Sequence, residues 1–292
     1  MSSTFAASVA LNRRIADSRT WQEVIEITRA ANPMSINSVC VATALHRVAK
    51  LGGGSSQGRR GADLAQIIAL IESKVDEFEA RNISNIMWSL AKLKLRLEPA
   101  LWGALCGKAE RSAGSFKPQE VANTLWAFAT MGISPLPSLL SLLSRAAERS
   151  AGSFNPQAVA NTLWAFATLG VSPSPSLLSS LSNAAERSAG SFIPQNVANT
   201  LWAMAVLQVE PPSLLARHTS KIGTAFNDKG LEQISYAHLV GQALGWSLQL
   251  PDQLVQHAQS VQRRRAAAAP FIFGSLPCLA SVPSLSLAPR RP

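Results

Sequence analysis

An all-α fold, an α-solenoid of stacked two-helix repeats, is what this 292-residue chain predicts. Three observations predict it. The stretch "PQEVANTLWAFAT" at 118–130 returns as "PQAVANTLWAFAT" at 156–168 and as "PQNVANTLWAMAV" at 194–206. Trp88, Trp126, Trp164 and Trp202 stand 38 residues apart, and Asn85, Asn123, Asn161 and Asn199 keep the same step. So does "AERSAGSF", at 109–116, 147–154 and 185–192. A fixed period of about 20–50 residues marks an array whose units bury their apolar faces only by stacking on one another.

Each unit reads as two helices. In the unit that starts at Lys117, Pro118 suits the first helical position, where its missing N–H removes nothing. Lys117 is then the N-cap, and Phe116 before it can pack on Val121 as a hydrophobic staple. Val121, Ala122, Leu125, Phe128 and Ala129 form an apolar stripe at helical spacing. Gly132 ends the helix and Ser134-Pro135 turns the chain. A second helix over about 137–150 offers Leu139, Leu140, Leu142, Leu143, Ala146 and Ala147 as its buried face, and "SAGS" leads into the next unit. Upstream, "LHRVAKLG" at 45–52 reads as a diverged earlier copy, followed by an insertion, "GGGSSQGRRG", read as a flexible loop. Residues 231–244 read as a degenerate later copy. Five or six units exceed the roughly three that a solenoid needs. The expected order is a leader-like segment at 1–20, a diverged helical repeat at 21–78, and the repeat array at 79–250. A short helix and then a disordered Ala/Pro/Ser-rich basic tail fill 251–292.

Composition bounds the function. Lys and Arg number 27 against 17 Asp and Glu, a net charge of +10, which points to an acidic partner: RNA, DNA or a membrane surface. Cys40, Cys106 and Cys278 are far apart and odd in number, so they suggest small buried hydrophobes rather than a disulfide or metal framework. No apolar run reaches the ~18 residues of a membrane span. His46, His218, His238 and His257 stand in no H-E-x-x-H setting, and "LGGGSSQG" lacks the G-K-[ST] of a phosphate loop. No catalytic constellation, cofactor or metal is expected, and the chain reads as a binding protein rather than an enzyme. The N-terminus "MSSTFAASVALNRRIADSR" is rich in Ser, Ala and Arg with no acid before Asp17, the composition of an organelle transit peptide.

A 38-residue helical pair built on "PQxVANTLWAFATLG" resembles the octotricopeptide repeat family of algal organelles. "LNRRIADSRTWQEVIEI" at 11–27 resembles the segment that precedes such arrays. "LVGQALGWSLQLPDQLVQHAQSV" at 239–261 resembles the linker to a C-terminal RAP domain in related proteins, although here "RRRAAAAPFIFGSLPCLASVPSLSLAPRRP" follows in place of that domain. Those proteins are often much longer, so a fragment or a short paralogue is expected. The resemblance implies single-stranded RNA as partner, alongside proteins of an RNA-processing or translation complex. It also implies a role in the stability, processing or translation of organellar transcripts, in the chloroplast before the mitochondrion.

Differences between near-identical units then become informative. The N-cap position holds Glu79, Lys117, Asn155 and Ile193; the position three residues on holds Asn82, Glu120, Ala158 and Asn196. Varied side chains on a fixed frame are what a reader of one base per repeat requires, and they are equally what unconstrained surface positions show. Lys92, Lys94, Arg111, Arg149 and Arg187 are the phosphate candidates; the last three could instead pair with the Glu that precedes each of them. Asn123 and its equivalents sit mid-helix, where Asn is a poor helix former, and are expected to hydrogen-bond from unit to unit; constant contact to nucleotides is the other reading. The repeated Trp is expected to pack between units, with base stacking as the other reading. A protein–protein scaffold built on the same solenoid is the alternative to RNA binding.

Overall fold

The computed structural model describes residues 2–52, 57–222, 225–248 and 250–268. Fourteen α-helices form among the described residues, and no strand does. The tail expected over 269–292, Cys278 within it, and residues 53–56 of the Gly/Ser/Arg insertion lie outside them. The rest of that insertion is not a loop: Gln57–Gly61 is the first part of a helix.

The central units are helix pairs as the period requires. They are α5 (Ala80–Leu93) with α6 (Pro99–Ser112), α7 (Pro118–Met131) with α8 (Pro137–Ser150), α9 (Pro156–Leu169) with α10 (Pro175–Ser188), and α11 (Pro194–Val206) with α12 (Ser213–Ile222). Ahead of them come α1 (Ser2–Asp17), α2 (Trp21–Ala30), α3 (Ser38–Lys50) and α4 (Gln57–Ser73); α13 (Asp228–Leu244) and α14 (Asp252–Ala268) follow. The first helices α3, α5, α7, α9, α11 and α13 stack consecutively in one layer. The second helices α6, α8, α10 and α12 form the other, each packed on its own first helix and on the next second helix. The leader-like segment holds α1, whose Leu11 and Ile15 are buried where it packs on α3, and α14 packs on α13 at the other end.

The caps follow from sequence chemistry. Gly132 and Gly170 adopt φ of +64° and +67°, the left-handed conformation that suits glycine at a helix end. The amide of Ile133 donates to Phe128 O at 3.1 Å and that of Val171 to Phe166 O at 3.1 Å, which satisfies carbonyls that the helix leaves open. The core lies between the layers. Val121, Leu125 and Leu139 are fully buried, and Phe128 nearly so; each such side chain contributes about 1.5–3 kcal/mol by leaving water. Leu140 and Leu142, expected in the same buried face, are only half-buried, because the stripe that meets the first layer is narrower: Leu139, Leu143, Ala146 and Ala147.

A polar tie runs from unit to unit in the second layer. Glu110 accepts from Ser138 Oγ. Glu148 accepts from Ser174 Oγ, and from Ser176 Oγ at 2.7 Å. Glu186 accepts from the amide of Leu214 at 3.2 Å. Each glutamate of "AERS" thus binds the N-terminal turn of the following second helix, where exposed amides and the helix dipole favour a carboxylate.

Candidate nucleic-acid interface

Exposure along one first helix locates its free face. In α7, Gln119 and Thr130 are exposed and Asn123 and Trp126 are half-buried, whereas Val121, Ala122, Leu125, Phe128 and Ala129 are buried. Asn123 and Trp126 are three residues apart and therefore neighbours on the helix surface. The stripe they form is left uncovered by the second layer. Counting from the N-caps extends it beyond the 38-residue period. Nine residues after each N-cap stand His46, Trp88, Trp126, Trp164, Trp202 and Tyr236, all half-buried. Six residues after it stand Thr43, Asn85, Asn123, Asn161, Asn199 and Gln233. A strict 38-residue step does not land on His46 or Tyr236, since the units at each end are longer or shorter; counting from the cap places both in the row, within the diverged copies at 45–52 and 231–244.

The aromatic positions form a row. His46 meets Trp88 edge to face, with centroids 5.0 Å apart. Trp88 and Trp126 are 6.1 Å apart and tilted by 31°, and Trp126 and Trp164 are 6.5 Å apart and tilted by 35°. The rings of His46, Trp88, Trp126 and Trp164 thus pack on one another, on the open stripe and against the edge of the core. His46 titrates at about 4: burial lowers it first, and the charges of Lys50, Arg81 and Arg47 add to that, so the ring is neutral at pH 7.

The expected asparagine ladder is present at one rung. Gln233 Nε2 donates to Asn199 Oδ1 at 3.0 Å. Among the described residues, no side-chain hydrogen bond joins Asn85, Asn123 or Asn161 to a neighbouring unit. The residue that makes this rung, Gln233, carries one methylene more than an asparagine.

The varied positions divide. The N-cap residues Glu79, Lys117, Asn155 and Ile193 are exposed. Three residues on, Asn82, Ala158 and Asn196 are buried and Glu120 is half-buried, so this second row is not the open edge that the sequence suggested. Much of the variation exchanges one capping device for another. Asn82 Oδ1 accepts from the amide of Glu79 at 3.0 Å, and Glu120 Oε2 from that of Lys117 at 2.8 Å. Asn155 Oδ1 instead accepts from the amide of Ala158 at 2.8 Å. Ile193 has no capping side chain.

The arginines do not pair with the glutamates before them, since adjacent side chains on a helix point in different directions. Arg111 meets Asp76 at 3.2 Å. Arg149 and Arg187 are exposed and make no ion pair among the described residues. Lys92 is exposed at the end of the stripe, and Lys94 is exposed at the C-cap of α5 with φ of +54°. Cys40 and Cys106 are buried, and burial raises both thiols, Cys106 to about 11. No helix of the described residues is long and apolar enough to cross a membrane.

The family model described as RNA-editing substrate-binding complex 6 protein matches residues 9–247. A curated relative, "RAP domain-containing protein, chloroplastic" of Oryza sativa subsp. japonica, is 30% identical over 100 residues. That similarity covers 29% of this chain and 16% of the relative, so the chain spans a small part of the curated protein it matches.

Proposed function

The chain belongs to the family of RNA-editing substrate-binding complex 6 proteins, and from that premise we propose that it is an organellar RNA-binding helical-repeat protein. It acts on the stability, processing or translation of transcripts, through an octotricopeptide-type array, in the chloroplast before the mitochondrion, and as a binder rather than an enzyme. The observation that carries the reading is the extent of the match. Residues 9–247 run from α1 through α13, so the likeness belongs to the stacked array itself rather than to an appended domain. The net charge of +10 supports a polyanionic partner. In this reading Arg111, Arg149 and Arg187 contact phosphates, and the exposed N-caps Glu79, Lys117, Asn155 and Ile193 bias the choice of base. One observation favours the scaffold reading at the first end of the array: Phe5, Val9, Met34 and Val39 are apolar and exposed there. A protein of an RNA-processing complex suits that end while RNA takes the repeats.

The test is fluorescence anisotropy with labelled single-stranded RNA across a salt series. Affinity should fall as salt rises. Changing Arg111, Arg149 and Arg187 to Glu should weaken all sequences alike and flatten the log–log salt slope by about 2, from three phosphates at ~0.7 each. Absence of RNA binding even at low salt would overturn the proposal in favour of a protein scaffold.

A further inference from the structure

We propose that the stripe of Asn and aromatic residues along the first helices is a sequence-tolerant platform for the bases of single-stranded RNA, one nucleotide per unit. This inference rests on the RNA-binding reading above and assigns it a surface. Asn85, Asn123 and Asn161 are mid-helix amides with no inter-unit hydrogen bond. Stacking alone does not account for them: Ala or Leu at these positions would favour the helix. Trp88, Trp126, Trp164 and Trp202 pack against the core yet stay partly exposed, each three residues beyond one of the asparagines on the same stripe. A ligand that both hydrogen-bonds and packs accounts for both residues at once. A nucleobase has polar edges for a carboxamide and an apolar face for an indole.

Spacing and charge favour the same occupant. From Trp88 through Trp126 to Trp164 the indole centroids step by 6.1 and 6.5 Å, close to two stacking layers of ~3.4 Å. A strand laid along the row is therefore extended, with one base to each ring. Four residues beyond His46 and Trp88, on the same stripe, stand Lys50 and Lys92, both exposed. Arg81 is exposed at the start of α5. Over the first two units these cations add to the edge of Arg111, Arg149 and Arg187, whereas later units carry Thr130, Thr168 and Val206 in place of the lysines. The carboxylate of Glu120 is turned to the amide of Lys117. The neutral His46 ring closes the row without adding charge beneath the bases. An indole face stacks on any base, and a carboxamide offers both donor and acceptor to a base edge, so the platform grips bases without distinguishing them.

Anisotropy and tryptophan fluorescence with eight-nucleotide oligo-U and oligo-A, on the whole chain, test this. The wild type should bind both oligomers within a few-fold of each other, and its indole emission should be quenched. Trp126→Leu with Trp164→Leu should cost roughly tenfold or more in affinity, leave the salt slope unchanged and remove much of the quenching. Trp126→Phe with Trp164→Phe should restore part of the affinity. Asn123→Ala with Asn161→Ala should lower affinity without lowering the melting temperature. RNA binding by the wild type with unquenched emission, or with the Trp and Asn variants within twofold of it, would overturn the platform and leave the RNA-binding reading standing. Lower melting of the Asn variants with unchanged affinity would overturn it too, in favour of a structural ladder. If the wild type binds neither oligomer, the functional reading itself fails.

Discussion

Thr124, Thr162 and Thr200 are fully buried, and their hydroxyls have no hydrogen-bond partner. A helical threonine can donate to the carbonyl four residues back, as Thr28 does to Val24 O at 2.7 Å; these three do not. The equivalent positions in the flanking units are Ile86 and Ile234, both fully buried. The site therefore accepts a purely apolar β-branched side chain, and an orphaned buried hydroxyl costs about 1–3 kcal/mol. Thr162→Val keeps the branching and removes the orphan. It should raise stability by about 1 kcal/mol, roughly 2–4 °C in melting temperature for a domain of this size, and leave RNA affinity unchanged because the residue lies off the open stripe. A drop in melting temperature would mean that the hydroxyl has a partner in solution.

At the scale of the helix, the link between units is a carboxylate on the next N-terminus. Hydrogen bonds from Ser174 and then Ser176 hold the Glu148 carboxyl below its ordinary value of 4.5; Arg145 adds slightly and burial opposes weakly. A depressed folded-state value means that the contribution is present above 4.5 and lost as pH falls below it, while the folded form keeps its charge longest. Glu148→Gln should lower the melting temperature at pH 7 and flatten its decline between pH 5 and about pH 3. Wild-type and variant melts that fall in parallel with acid would sink this account. The tie was not legible in advance. The 38-residue period makes Glu110, Glu148 and Glu186 equivalent to one another, but it does not place a second helix against its successor. That placement decides whether Glu meets the next unit's Ser. For the same reason the helices, the Gly132 and Gly170 caps and the apolar stripe were readable from Pro118, Leu125 and Phe128, whereas the open position of Trp126 was not. Helical spacing identifies a face, and only the stacking identifies which faces remain uncovered. The burial of Ala158 and Asn196 escaped for the same cause.

At the scale of the whole molecule, the number of units limits selectivity. Six first helices, α3 through α13 by odd steps, carry six aromatic positions from His46 to Tyr236. At about one base per unit the strand contacted is about five or six nucleotides long. A fully specified site of that length recurs by chance on the order of once per one thousand to four thousand bases of random sequence. Four of the six aromatic positions are the same residue, and four of the six positions beside them are Asn, so most contacts do not distinguish one unit's base from the next unit's. The N-caps vary and remain exposed, at Glu79, Lys117, Asn155 and Ile193. Acting alone, the protein should therefore bind RNA broadly, and selective action should require a partner that adds contacts. Two measurements check this together. Affinity for oligo-U of increasing length should rise steeply to about six nucleotides and then only by the statistical factor for overlapping sites. Selection from a random RNA pool should return no more than about six defined positions, weakly biased. A motif of ten or more defined bases from this chain alone would exceed what six units can contact and would sink the one-base-per-unit arrangement.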